Sequence, residues 1–73
     1  MAKKGSGTVY RVTEVIGTSS SSWEDAVRNA VKTASSSLRD LRIAEIEKLD
    51  VKIENGKVTQ FRARLALSFK YEG

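Results

Sequence analysis

The chain has 73 residues, with 13 Lys and Arg against 9 Asp and Glu, no His and no Cys, and a formal charge of +4. That length holds one core, and without His or Cys there is no catalytic triad, thiolate nucleophile, zinc site or disulfide. No apolar run approaches the ~18 residues of a membrane span and the start lacks a signal-type apolar segment, so a cytoplasmic, non-enzymatic protein is expected.

Residues 1–7, MAKKGSG, form a basic Gly/Ser-containing leader expected to be disordered, ahead of a single domain over residues 8–73. Thr8 to Ile16 is rich in β-branched and aromatic residues and is expected to be a strand. Its pattern puts Tyr10, Val12 and Ile16 toward a helix, with Val9, Arg11, Thr13 and Val15 facing away. Gly17 is expected to end it. The segment Thr18 to Leu41 then carries the only helix, about five turns long. Trp23, Ala26, Val27, Ala30, Val31, Ala34 and Leu38 make one apolar stripe of period 3.6. One of the four serines before Trp23 supplies the N-cap, and Glu24 and Asp25 suit the positive end of the helix dipole. The helix stop, near Leu38 to Asp40, has no Gly or Pro to mark it.

Arg42 to Ile53 is the second strand. Its apolar positions change phase between Ala44, Ile46 and Leu49, Val51, Ile53, which requires an extra residue near Glu47 and Lys48, a β-bulge. Asn55-Gly56 is a tight-hairpin signal. Val58 to Tyr71 alternates without a break and has no Pro or Gly, as a central strand should. The expected fold class is therefore α+β: β-α-β-β, a three-stranded antiparallel sheet of order 1-3-2 wrapped around one helix.

A core this small offsets conformational entropy only narrowly. With disulfides and most metal sites excluded, oligomerisation remains as the source of further burial. The sheet face away from the helix would carry Ile43, Glu45 and Glu47 beside Arg62 and Arg64. Two function classes stay open on these residues. One is a binding protein without catalysis; the other is a small basic nucleic-acid-binding module using the Arg62/Arg64 face. Trp23 is expected to be a core anchor. The hydroxyl-rich Thr18 to Ser22 loop has the oxygens a hard cation needs, although no EF-hand spacing occurs.

A first strand ending V-I-G-T-S, a capped helix, a strand of the type R-I-A-E-I, an N-G hairpin and a last strand ending L-A-L-S-F-K together resemble the dodecin family. The resemblance covers about residues 8 to 71. It implies a hollow homododecamer built from trimers that binds or stores a small molecule or ion, with flavin (FMN or riboflavin) or calcium as the ligand. Counting back from Phe69, the family's flavin-stacking tryptophan position falls on Ile43 and its glutamine position on Arg62, with Glu45 beside them. The tryptophan at the helix entry and the aliphatic residue at position 43 are closer to a calcium-associated branch of the family.

Overall fold

In the computed structural model, which describes residues 7–70, the chain runs β1 (Tyr10–Ser19), α1 (Trp23–Ser35), β2 (Leu41–Glu54) and β3 (Lys57–Lys70). The first six leader residues and Tyr71, expected to close the last strand, lie outside the described residues. The sheet order is β1-β3-β2 with both pairings antiparallel, as the pattern of the sequence requires.

The helix is shorter than the apolar stripe implied, 13 residues rather than five turns. It begins where expected, with the Ser22 hydroxyl accepting the Asp25 amide at 3.0 Å. At its end the backbone tightens, with the Ser36 and Ser37 amides donating to the Thr33 and Ala34 carbonyls at 3.3 and 3.1 Å, and serine hydroxyls share the same oxygens. The Ser36 hydroxyl donates to the Thr33 carbonyl at 2.7 Å and that of Ser37 to the Ala34 carbonyl at 3.4 Å. Asp40, at φ 53°, then turns the chain into β2.

The first strand corrects the sequence reading twice. β1 runs on through Gly17 to Ser19, and its facing is the reverse of the one expected. Thr13, Val15 and Gly17 lie opposite Leu67, Leu65 and Ala63, under the helix, whereas Tyr10, Val12 and Ile16 lie on the other face. Gly17 sets this phase. A side chain at residue 17 would overlap the Ala26 carbonyl oxygen and lie 2.7 Å from the Ala30 Cβ. The helix thus rests directly on the β1 backbone, and only alanines and a glycine allow that approach.

The core follows from this closeness. Ala26, Ala30 and Ala34 of α1 pack on Ala63, Leu65 and Leu67 of β3, with Val15, Val27, Val31, Leu38 and Leu41 around them. Leu65 and Leu67 are the largest fully buried side chains. The phase change in β2 is the expected bulge, a register shift between Ile46 and Lys48, and further shifts occur between Leu41 and Ile43 and between Lys52 and Ile53. Asn55 (φ 54°) and Gly56 (φ 75°) close the hairpin with both central residues in the left-handed region, the geometry that matches strand twist.

Candidate functional site on the open sheet face

The pairing register sorts the face away from α1 into rungs across β1, β3 and β2. Val12, Ser68 and Ile43 share one rung; Glu14, Ala66 and Glu45 the next; then Ile16, Arg64 and Lys48; then Thr18, Arg62 and Asp50. Long side chains on the two outer strands flank small ones on the centre strand in the first two rungs. Ala66 is buried although it belongs to this open face.

Of the three residues singled out from the sequence, Ile43 and Glu45 stand on adjacent rungs, but Arg62 does not join them. Ile43 lies opposite Ser68, six residues along β3 from Arg62. At about 3.4 Å per residue the separation is on the order of 20 Å. Ile43 is 58% exposed.

Arg62 pairs with Asp50, not with the Glu45 that the sequence reading set beside it. Its Nε donates to Asp50 Oδ1 at 2.7 Å and its Nη2 to Oδ2 at 3.3 Å, a two-pronged pair across β3 and β2. The hydrogen bond from Arg62 holds the Asp50 carboxyl below the usual aspartate range, and Asp50 raises Arg62 in return. Arg64 pairs instead with Glu14 of β1, Nη1 to Oε1 at 3.8 Å. Both arginines thus stand in exposed ion pairs with carboxylates of the neighbouring strands. With Glu14, Glu45, Glu47 and Asp50 beside Arg62, Arg64 and Lys48, charges of both signs alternate on this face, where a nucleic-acid binder clusters basic ones.

Glu47, in the bulge, reaches Glu14 from the far side of β3. A side-chain hydrogen bond to Glu14, partial desolvation and the negative charges of Glu14 and Glu45 raise its pKa, and Arg64 offsets part of this. Sequence reasoning missed Glu14 because it assigned β1 the wrong face. The signal that would have found it is Gly17 opposite an alanine stripe, since a glycine at a close helix crossing fixes which alternate residues point inward.

Two hydroxyls of the Thr18 to Ser22 loop, those of Ser19 and Ser22, are engaged within the chain. The buried Ser19 hydroxyl donates to Asp25 Oδ2 at 2.8 Å and accepts the Ser21 amide at 2.9 Å, which locks the helix entry. Trp23 sits on the helix side. Its ring meets Phe61 edge-on, centroids 5.2 Å apart at 77°, and its Nε1 donates to the Asp50 carbonyl at 3.0 Å. It is an anchor, as expected, but one 38% exposed at the margin of the core.

Fit to the two ligands implied by the sequence is incomplete within one chain. Ile43 has no π face to stack a flavin ring, and Arg62 is too distant to touch the same ring. Among the described residues, no group of three or more acidic side chains is arranged to hold a metal ion.

Comparison with known proteins follows the same lines. The family model described as Dodecin matches residues 9–72. Calcium dodecin of Mycobacterium tuberculosis (strain ATCC 25618 / H37Rv) is 42% identical over 64 residues, covering 86% of this chain and 89% of that protein. Among solved structures, dodecin from Streptomyces coelicolor superposes with a TM-score of 0.87 at 43% identity, covering 94% of this chain and 99% of that one. The M. tuberculosis calcium dodecin structure, described as calcium chelating with a novel calcium-binding site, gives 0.78 at 39% identity, covering 89% and 93%.

Proposed function

This chain belongs to the dodecin family, and on that premise we propose that it assembles into a closed cytoplasmic shell, a homododecamer built from trimers, that binds or stores a small ligand or ion without catalysis. The observation that carries the reading is an apolar surface on each side of one sheet. On the helix side Ile46, Leu49, Ile53 and Val58 are exposed; on the open side Tyr10, Val12, Ile16 and Ile43 are. A dimer covers one surface. Two surfaces pointing opposite ways call for two different contacts, and a closed assembly with more than one kind of symmetry axis supplies both.

The ligand site in this reading is shared. With Ile43 and Arg62 about 20 Å apart along the sheet, one small molecule touches both positions only if they come from different copies. The 42% identity to a calcium dodecin supports an ion or another ligand that needs no ring stacking ahead of a flavin. The test is direct. Isothermal titration with calcium chloride should give heats that saturate, and riboflavin fluorescence should be little quenched by micromolar protein. Strong quenching with no calcium heat would reverse the ligand order, and silence in both titrations would reject calcium and flavin together.

A further inference from the structure

We infer that Asn55 is a site of self-modification: the Gly56 backbone nitrogen displaces the Asn55 side-chain amide, so that the β2–β3 turn converts with age to aspartyl and isoaspartyl forms. The inference rests on the fold of the single chain and is independent of the assembly proposed above.

The chain has two asparagines, Asn29 and Asn55, and the fold treats them oppositely. Asn29 lies within α1, where its Nδ2 donates to the Thr18 carbonyl at 3.0 Å and the next residue, Ala30, is buried in mid-helix. A backbone nitrogen held in a helical ladder is not free to turn onto the side chain before it. Asn55 escapes these restraints. It is exposed, and among the described residues no hydrogen bond holds its side chain. The strand ladder closes on the Glu54–Lys57 pair, so the Gly56 amide stands outside it. Gly56 has no Cβ to shield its nitrogen, and nothing lies within 4 Å of where one would be.

The attack requires the turn to leave its folded geometry, in which Asn55 and Gly56 both hold positive φ. The surroundings of the turn make that opening easy. β1 stops pairing at Ser19, opposite Phe61, so residues 52–60 continue as a ribbon of two strands. An isolated two-stranded hairpin is marginally stable in water, and backbone held by few contacts opens locally at little cost.

The step balances without a cofactor. The Gly56 nitrogen gives up its proton and bonds to Asn55 Cγ, the Cγ–Nδ2 bond breaks, and ammonia leaves behind a cyclic succinimide. Water then opens the ring at either carbonyl. One opening gives an aspartyl residue, which tolerates the left-handed region and keeps the turn; the other gives an isoaspartyl residue, whose extra backbone methylene does not fit a two-residue loop. Either adds a negative charge beside Glu54, which lies 3.7 Å from Lys52.

Trypsin cuts after Arg28 and Lys32 and after Lys52 and Lys57, so each asparagine falls in its own short peptide. Protein aged in mildly alkaline buffer should yield peptide 53–57 as two separable products of acid mass, one of them a substrate for isoaspartyl methyltransferase, with peptide 29–32 unchanged. Conversion should slow in mildly acidic buffer, because the attacking nitrogen must lose its proton. Asn55→Gly keeps a residue suited to positive φ and should abolish ammonia release with the circular dichroism of the fold unchanged. A folded protein whose Asn55 stays intact while the urea-unfolded chain converts overturns the inference. So does amide loss from both peptides at one rate, or a product without the isoaspartyl form.

Discussion

At the scale of single residues, Gly17 is the tightest constraint in the chain. Gly17→Ala forces a methyl group against the Ala26 backbone and the Ala30 side chain. Overpacking of this kind costs about 3 kcal/mol when backbone must move, so chemical denaturation should show a large loss of stability with secondary structure intact. The charged open face gives a pair of opposite pH effects. Glu47 is raised by Glu14, so its favourable contact is fully present below the ordinary glutamate pKa and is lost as pH rises through the raised value. Glu47→Gln should therefore raise the melting temperature near neutrality, with a gain that shrinks in acid. Asp50 is depressed by Arg62, so that contribution is present above the ordinary aspartate pKa and is lost as pH falls through the depressed value. Asp50→Asn should lower the melting temperature near neutrality, and its deficit should fade in strong acid. Calorimetry of both variants across pH checks the two signs together. Both residues are solvent-exposed, so salt should reduce each effect.

At the scale of elements, β3 is where the sequence was most legible. Its unbroken alternation placed Leu65 and Leu67 under the helix, and both are fully buried. Leu65→Asp should abolish folding, because it puts a charge in the centre of the middle strand; a folded, assembled variant would contradict the facing of β3. Ser22→Ala should cost about 1 kcal/mol through loss of the N-cap bond. The β2 bulge was visible as a phase change around Glu47. A second irregularity was latent in parity. Closing the hairpin at Asn55-Gly56 pairs odd residues of β2 with even residues of β3, yet odd residues on both strands face the helix, so one strand must carry an extra residue. The shift between Lys52 and Ile53 supplies it and sets Asp50 opposite Arg62. β1 was misread because both of its faces are partly apolar, and alternation cannot choose between two similar faces. The end of α1 was misread because no glycine marks it: backbone amides and serine hydroxyls share its last carbonyls.

At the scale of the whole molecule, the chain is long and thin, 60 × 21 × 16 Å. Its radius of gyration is 15.8 Å, against about 11 Å for a compact chain of this length. The candidate site was only partly legible for the same reason: Ile43, Glu45 and Arg62 lie on one face, but Arg62 is six residues along β3 from the partner of Ile43, a separation that alternation alone does not reveal. The most direct measurement is native mass spectrometry of the protein at micromolar concentration. The account predicts a discrete species near twelve times the 8.1 kDa chain, about 97 kDa, with trimers as the first fragments. A folded species that stays at 8.1 kDa would contradict it.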